Sequence, residues 1–249
     1  MSTSAGKRVV VTGAAGGLGL AMANAFAGEG ALVAMLDVNN ALLYTAASSL
    51  PADRVRPIIC DVSDRAAVIS AIDSFAAEAG GLDVLVNNAV YFHYGPLIEM
   101  PEAVVDQMID VGLKGALWSL QAAIPHLTRS GGGAIINLSS IAVSISIPRA
   151  AVYTSIKGAL DALTRQLAVE LAPHNITVNA LAPGSVVTPG ASSVIDTEGW
   201  RKRTERTPLK RLATPEEIAA AAVFLASDSA RTITGVTLKI DAGITISGP

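Results

Sequence analysis

Short apolar runs alternate with longer segments of helical periodicity along almost the whole chain. The runs are rich in Val, Ile and Leu, and they predict strands at Arg8–Val11, Leu32–Leu36, Arg56–Ile59, Val84–Val86, Ala134–Leu138, Thr177–Leu181 and Val236–Ile240. The longer segments predict helices at Leu18–Ala27, Asp64–Glu78, Pro101–Leu127, Val152–Leu171 and Pro215–Ala226. This alternation indicates an α/β fold, a doubly wound, mainly parallel, seven-stranded sheet with helices on both faces.

Composition and charge narrow the classes of function. The sequence is 51% hydrophobic and only 4% aromatic, which suits a buried parallel sheet covered by Ala-rich helices. The formal net charge of −3 gives no electrostatic reason to expect nucleic acid or a membrane surface as a partner. Cysteine and histidine are too few and too scattered to predict a metal site. The lone Cys60 follows an apolar run, which predicts a buried thiol in a reducing, cytoplasmic setting.

A glycine-rich turn lies between the first predicted strand and the first predicted helix. Residues 12–19 read TGAAGGLG. Glycines allow a tight turn and a close approach to a pyrophosphate, whose charge is favoured by the free N–H groups at the start of the helix. This is the context that a Rossmann-type dinucleotide site requires, and it makes candidate cofactor contacts of Gly13, Gly17, Leu18 and Gly19.

Asp37 closes the second predicted strand. A carboxylate at this point can accept hydrogen bonds from the ribose hydroxyls of an adenosine, and it would repel a 2′-phosphate. No Arg or Lys lies in the glycine turn to attract such a phosphate. We therefore expect NAD rather than NADP, against the alternative that Asp37 is an ordinary solvated acid.

The third and fourth predicted strands also end in candidate contacts. Asp61 could hold the adenine amino group while Val62 packs on the ring. Asn88 and Ala89 could bring the backbone close to the cofactor. All these strand ends fall on one edge of the sheet, where ligands bind in this architecture. Each residue, taken alone, is also compatible with ordinary turn chemistry.

Tyr153 and Lys157 are four residues apart in a predicted helix and therefore share one face. Tyrosine, with a pKa of about 10, is a poor base at neutral pH, and a nearby ammonium would lower that pKa. Ser140 follows the fifth predicted strand and could hold a substrate oxygen while Tyr153 transfers the proton. Its neighbour Ser139 should point away and have a structural role. The Tyr–Lys spacing alone is common on solvated helix faces.

Together, these motifs and their order resemble the short-chain dehydrogenase/reductase family over residues 7–245. The resemblance implies that Ser140 positions the substrate, Tyr153 is the general acid/base, and Lys157 orients the nicotinamide ribose. It also implies a homotetramer assembled through the two long central helices and the last strand. It adds candidate cofactor contacts at Pro183, Gly184, Val186 and Thr188.

We expect one Rossmann-type domain over residues 1–249, because no linker or repeat divides the chain. Residues from about 7 to 90 would form its dinucleotide-binding half, and those from about 91 to 249 its catalytic and substrate part. The irregular segment from about 189 to 208 would be a lid, or else a surface loop without a role. It contains a basic cluster that could meet an anionic substrate, but such runs are more typical of a solvated helix face.

Two residues depart from the family pattern. Val90 stands where the family usually has Gly, and Gly112 stands where its long helix carries an Asn that anchors a water between the Lys and solvent. We expect Gly112 to permit a helix distortion that frees a backbone carbonyl, and to leave space through which water reaches Lys157. The alternatives are another polar side chain, for which His93 is a candidate, or a broken relay.

The segment Tyr91 to Tyr94, shortly after the Asn-Asn-Ala run, supplies aromatic and imidazole groups. Tyr91 and His93 are our candidates for the substrate pocket, together with Ser140 and Tyr153. The leading prediction is an NAD(H)-dependent oxidoreductase that interconverts a small secondary alcohol, cyclic alcohol or sugar hydroxyl and its carbonyl. A 3-oxoacyl thioester reductase is the enzymatic alternative. A dinucleotide-binding regulatory or scaffold protein with weakened catalysis is the alternative from another class.

Overall fold

A seven-stranded parallel sheet organises the computed structural model, which describes residues 4–247. Its strands are β1 (Arg8–Thr12), β2 (Leu32–Asp37), β3 (Val55–Ile59), β4 (Val84–Asn87), β5 (Gly133–Leu138), β6 (Ile176–Pro183) and β7 (Thr237–Ile240). They lie in the order β3-β2-β1-β4-β5-β6-β7, and every neighbouring pair is parallel. The predicted doubly wound α/β class is confirmed, and the sheet is parallel throughout the described residues.

Helices cover both faces of this sheet. They are α1 (Gly17–Gly28), α2 (Asn40–Ser48), α3 (Arg65–Ala79), α4 (Glu102–Ile109), α5 (Gly115–Arg129), α6 (Ala151–Glu170), α7 (Pro189–Ser192), α8 (Thr197–Arg206) and α9 (Pro215–Leu225). One face packs on α1, α2 and α9 around Phe26, and the other on α3, α5 and α6 around Phe75. Within β1, Val9 and Val11 belong to the first core and Val10 to the second, because successive strand residues point to opposite faces.

The long helix predicted at Pro101–Leu127 is interrupted in the structure. Between α4 and α5 lies a π-helical turn over Asp110–Lys114. Such a turn inserts a residue into the helical ladder and leaves little trace in the hydrophobic pattern. Gly112 is at its centre and is buried, so the helix distortion expected at this residue is confirmed.

Three helices fall outside the predicted set. Asn39 directly precedes α2 and caps it, because its side chain accepts the N–H of Leu42 at 3.1 Å. The segment 189–208, predicted to be irregular, contains the whole of α7 and of α8. Asp196 directly precedes α8 and caps it by accepting the N–H of Gly199 at 2.7 Å. Side-chain caps of this kind stabilise short helices whose periodicity alone is too brief to predict them.

Cys60 is buried, as predicted, and burial raises the pKa of its thiol to about 11. Within residues 4–247, no helix has the length and apolarity needed to cross a bilayer. The same residues contain no group of three or more His, Cys, Asp or Glu side chains that could hold a metal ion.

Because all pairings are parallel, the seven strands end at one edge of the sheet, here called the carboxyl edge. The polar residues and glycines identified in the sequence follow these strand ends. Ligands of open parallel sheets bind at this edge, so the fold places the candidate residues where a site is expected.

Candidate active site

The glycine turn is held in a close fit beside β4. Gly13 has a φ of +66°, and a Cβ there would lie 2.8 Å from the Cα of Ala89. A Cβ on Gly19 would lie 2.0 Å from the carbonyl oxygen of Gly13. Both positions therefore require glycine, because a side chain would separate the turn from β4 or α1 from the turn.

Thr12 and Asn88 hold this turn in place. Thr12 Oγ1 accepts the N–H groups of Asn88 and Ala89 at 3.0 and 3.1 Å. The Asn88 amide donates to the carbonyl oxygens of Thr12 and Gly13 at 2.9 and 3.0 Å. The Asn88 side chain thus fixes the turn. From the motif alone, Asn88 is predicted to lie beside the cofactor. Thr12 is absent from our sequence-based candidates, although a hydroxyl directly before the glycine turn is a signal for such a contact.

The surface above the turn is open where α1 begins. A Cβ on Gly16 would meet nothing within 4 Å, and Gly17 has a φ of +53°. Thr188 faces this point, since a Cβ on Gly17 would lie 3.6 Å from the Thr188 Cβ. Among the described residues, no side chain caps α1 and no acid lies in its first turn. Its first N–H groups and its dipole can therefore receive a pyrophosphate, and the turn fits a dinucleotide.

Asp37 ends β2 beside the turn and is partly buried. One carboxylate oxygen accepts the N–H of Ala15 at 2.9 Å, and the other accepts the N–H of Asn39 at 2.9 Å. These backbone donors fix the direction of the carboxylate. Its remaining lone pairs can accept hydroxyl groups of a ligand at the turn.

Asp61 and Val62 follow β3 and differ in their surroundings. Asp61 is exposed, and one of its oxygens accepts the N–H and the hydroxyl of Ser63 at 2.9 and 2.7 Å. Val62 is buried against the backbone of Gly115, where a Cβ would lie 2.8 Å from a Val62 methyl group. Val62 therefore packs on the start of α5, in addition to any contact with an adenine.

The segment after β6 lies across the same edge. Pro183 is the last residue of β6, and Gly184, directly after it, packs so closely that a Cβ would lie 2.8 Å from the Cα of Asp241. Val186 forms an isolated parallel bridge with the segment before α9. Thr188 caps α7. These contacts hold the base of the lid beside the glycine turn. Leu18, the remaining candidate of the turn, packs against the core under α1.

Ser140, Tyr153 and Lys157 come together at the carboxyl edge. Ser140 follows β5, is buried, and forms a side-chain hydrogen bond with Tyr153. Lys157 is buried one turn further along α6, with Nζ 5.8 Å from the centre of the Tyr153 ring. Nζ donates to the carbonyl oxygen of Leu138 at 2.5 Å. Ser139 donates to the backbone carbonyl of Lys157 at 3.2 Å and so stabilises the packing of α6.

Burial dominates the proton affinities of this set. It raises the pKa of Tyr153, and the hydrogen bond with Ser140 lowers that pKa by less. Burial also lowers the pKa of Lys157 to about 8. The spacing predicts that Lys157 lowers the pKa of Tyr153. On balance the pKa of Tyr153 is raised, because desolvation of the phenol outweighs its hydrogen bond with Ser140, and the lowering by Lys157 stays a prediction.

A buried network of polar side chains lies behind the site. Asn87 Nδ2 donates to Asn137 Oδ1 at 2.9 Å, and Asn137 Nδ2 donates to the Thr164 hydroxyl at 2.9 Å. Thr164 donates in turn to the carbonyl of Leu160 at 2.8 Å. The network ties β4, β5 and α6 together. Its sequence signal, which our candidate residues omit, is a pair of amides inside otherwise apolar strands.

Aromatic side chains line one side of Tyr153. The Tyr94 ring meets the Tyr153 ring edge-on with centroids 5.7 Å apart, and the Phe92 ring lies 5.6 Å from Tyr94. We call Phe92 and Tyr94 the aromatic wall. Tyr91 packs into a small core between α4 and α6, and His93 is exposed. The ring that the structure places against Tyr153 is therefore Tyr94, rather than either predicted pocket residue.

The side chain of Ile156 fills the space beside Gly112. A Cβ on Gly112 would lie 3.0 Å from Cγ2 of Ile156, which is 4% exposed and directly precedes Lys157. The helix distortion expected at Gly112 is present. A buried methyl group borders the space left by Gly112, and the passage of water through it to Lys157 stays a prediction.

We expect Gly112→Asn to lower turnover by no more than about tenfold, roughly 1.4 kcal/mol of barrier, and to lower thermal stability. Ile156 must move to admit the amide, so the double variant Gly112→Asn/Ile156→Ser should recover stability. Turnover across pH and thermal unfolding of both variants, with Ile156→Ser as the control, measure these effects. If the wild-type protein is inactive and Gly112→Asn raises its turnover by several orders of magnitude, Gly112 is a disabling residue.

The chain is similar to known oxidoreductases over nearly its whole length. A family model described as enoyl-(acyl carrier protein) reductase matches residues 13–245. D-threitol dehydrogenase of Mycolicibacterium smegmatis is 37% identical, with 97% of this chain and 94% of that protein covered. D-xylose 1-dehydrogenase of Caulobacter vibrioides is 35% identical, with 96% and 95% covered.

A solved structure of a reductase is also similar to this chain over nearly its whole length. The crystal structure of 3-ketoacyl-(acyl-carrier-protein) reductase from Brucella melitensis, complexed with NADH, superposes with a TM-score of 0.92 at 31% identity. The superposition covers 97% of this chain and 99% of that one.

Proposed function

Because the chain belongs to the short-chain dehydrogenase/reductase family and is an oxidoreductase, we propose that it oxidises a secondary hydroxyl of a small polyol, sugar or cyclic alcohol. The observation that carries the proposal is the meeting of Ser140, Tyr153 and Lys157 beside the glycine turn. The polyol and pentose dehydrogenases among its relatives support the substrate class.

The chain's own residues supply the proton steps of this proposal. Ala142 donates its N–H to the Ser140 oxygen at 3.1 Å, and the Ser140 hydroxyl, which contacts Tyr153 here, can turn its proton toward a bound substrate oxygen. In reduction the Tyr153 phenol gives its proton to the carbonyl oxygen, and in oxidation the Tyr153 phenolate, formed by loss of that proton to solvent, accepts the proton of the substrate hydroxyl. Lys157, whose Nζ donates to the carbonyl oxygen of Leu138, lies behind Tyr153 and orients the nicotinamide ribose. A bound nicotinamide dinucleotide supplies the hydride acceptor or donor.

We propose NAD as that dinucleotide, bound mainly by the half from about residue 7 to 90. Asp37 presents a fixed carboxylate beside the glycine turn. A carboxylate there favours a ribose 2′-hydroxyl and repels a 2′-phosphate. Residues from about 91 to 249 supply the catalytic and substrate part, with the lid at about 189–208.

Asp37→Ser should move the cofactor preference toward NADP. We expect kcat/KM with NAD to fall by about tenfold or more, the effect of one lost hydrogen bond to a charged group, and kcat/KM with NADP to rise. Steady-state kinetics with both cofactors measure the ratio. Asp53→Ser removes an exposed acid paired with Arg54 and should leave the ratio unchanged. Wild-type preference for NADP, or an unmoved ratio in Asp37→Ser, contradicts the assignment.

A substrate panel tests the proposed function. The protein is mixed with NAD and with simple secondary alcohols, cyclic alcohols, tetritols or pentoses, and reduced nicotinamide is followed by absorbance. We expect turnover with at least one class. The NADH-bound ketoacyl reductase makes a 3-oxoacyl thioester reductase the second candidate, tested with an acetoacetyl thioester and NADH. Binding of NADH without turnover in either assay would indicate a dinucleotide-binding protein that has lost catalysis.

We propose a homotetramer, placed in the cytoplasm because the one cysteine is a buried thiol. Apolar side chains of α6, α9 and β7 are exposed in the single chain. With their exposed fractions, they are Val169 (76%), Phe224 (45%), Val236 (40%) and Leu238 (37%), where Val236 directly precedes β7. Apolar surface on a central helix and on the edge strand favours subunit contacts. Light scattering at micromolar concentration should give the mass of four chains, and a monomer alone contradicts the proposal.

A further inference from the structure

The lid helix α8 carries a cluster of cations, and most of its outer face neutralises itself. Arg201 pairs with both Glu198 and Glu205, and Lys202 lies 3.5 Å from Glu198. These side chains are all 50% or more exposed. The outer face is therefore the solvated, ion-paired surface that a basic run on a helix usually forms.

Arg203 differs from these cations. Its residue is partly buried, and its guanidinium donates to the carbonyl of Gly199 at 3.1 Å. No carboxylate in residues 4–247 forms an ion pair with it. Asp196 is close, but it caps α8 through the Gly199 N–H. A guanidinium has five N–H donors, and the one side-chain hydrogen bond of Arg203 among the described residues, to Gly199, leaves most of them free for a ligand.

Arg203 lines a cavity of about 400 Å³ between α7 and α8. Helix α7 lies between this cavity and the aromatic wall, because Ser192 lines the cavity and Gly190 contacts Phe92. Phe92 packs under α7, where a Cβ on Gly190 would lie 3.6 Å from its ring. Burial raises the pKa of Tyr94, and the charge of Arg203 acts on the same phenol in the opposite direction. Tyr94 in turn contacts Tyr153. One side of the site therefore runs from the phenol of Tyr153, along the aromatic wall, to this guanidinium.

We propose that the cavity between α7 and α8 is a subsite for a carboxylate at the end of the substrate remote from the reacting hydroxyl, and that Arg203 selects it. A carboxylate can accept two N–H groups of a planar guanidinium. Asp196 also lines the cavity, but its carboxylate accepts the N–H of Gly199 and forms no ion pair with Arg203. The inference rests on the proposed function, because it takes Tyr153 as the reacting end. It narrows the substrate class from neutral polyols and sugars to hydroxy acids and sugar acids.

The test compares matched substrates and matched variants. The substrates are a tetritol with its tetronate and a pentitol with its pentonate, each assayed with NAD. We expect wild type to favour each acid by at least about tenfold in kcat/KM, a difference carried by KM. Arg203→Gln should abolish this preference while leaving the neutral polyols within about twofold, and Arg203→Lys should restore part of it. Arg206→Gln, an exposed cation on the same helix, is the control and should change neither substrate.

Three outcomes separate this inference from the proposed function. Equal or better use of the neutral polyols by wild type overturns the inference and leaves the proposed function intact. Equal loss on acid and polyol in both Arg203→Gln and Arg203→Lys assigns the residue to lid structure and also overturns it. No turnover with any alcohol overturns the proposed function. In that case, calorimetric titration of the NADH complex with the pentonate still tests Arg203, and absence of binding overturns the inference too.

Discussion

Tyr153→Phe should lose about a thousandfold in turnover, about 4 kcal/mol of barrier, while dinucleotide binding stays within about twofold. The substitution deletes only the hydroxyl that Ser140 contacts, and it keeps the ring that packs against Tyr94. The lost group acts on a proton and not on the cofactor. The loss should therefore fall on kcat and leave the Kd for NADH nearly unchanged.

Tyr44→Phe is the matched control for this substitution. Tyr44 is 53% exposed on α2, so removal of its hydroxyl should change neither quantity. Turnover with the best panel substrate and fluorescence titration with NADH compare the three proteins. Near-normal turnover in Tyr153→Phe would mean that another group moves the proton. Loss of turnover and binding together would make Tyr153 a structural residue.

Gly19→Ala and Gly28→Ala should have effects of opposite sign although both lie in α1. A Cβ on Gly19 would lie 2.0 Å from the Gly13 oxygen and 2.7 Å from the Asn88 amide nitrogen, so α1 must move away from the turn. Overpacking against backbone costs about 3 kcal/mol of stability, and NADH affinity should fall by at least about tenfold. A Cβ on Gly28 meets nothing within 4 Å. Alanine there should stabilise by about 0.5 kcal/mol.

Urea unfolding and NADH titration of both variants measure these effects. The Gly28→Ala protein controls for the general consequence of adding a methyl group to α1. Equal stabilities of the two variants would show that the glycine turn can move away from α1 at little cost. Unchanged NADH affinity in Gly19→Ala would show that the turn does not hold the dinucleotide.

The strands could be predicted from the sequence because a sheet buried on both faces needs continuous apolar runs. Val9, Val10 and Val11 are all fully buried, and their run is visible without a structure. The break at Asp110–Lys114 could not be predicted with equal certainty, because a π-turn changes the backbone without changing the composition. Only Gly112 pointed to it. The lid helices are short and depend on side-chain caps, which leave a weak pattern.

The order of the site motifs could also be predicted, but their contacts could not. Asn88 follows a strand end in the expected way, yet its amide contacts Gly13 rather than solvent or ligand. The sequence favours Tyr91 and His93 but does not distinguish Tyr94, because an irregular loop has no periodicity to indicate which ring points inward. Contacts between distant segments, such as that of Tyr94 with Tyr153, become visible only when both segments are placed.

The hydrogen bonds from Asn88 to Thr12 and Gly13 span 76 and 75 residues. During synthesis the glycine turn leaves the ribosome well before Asn88 does, because the chain emerges from its N-terminus. In that interval neither β4 nor the Asn88 amide restrains the turn, and glycine is the residue type with the most conformational freedom to lose. A dinucleotide can therefore stabilise only chains that have been synthesised beyond β4, and it acts as a ligand for late folding steps rather than as a nucleus for early ones.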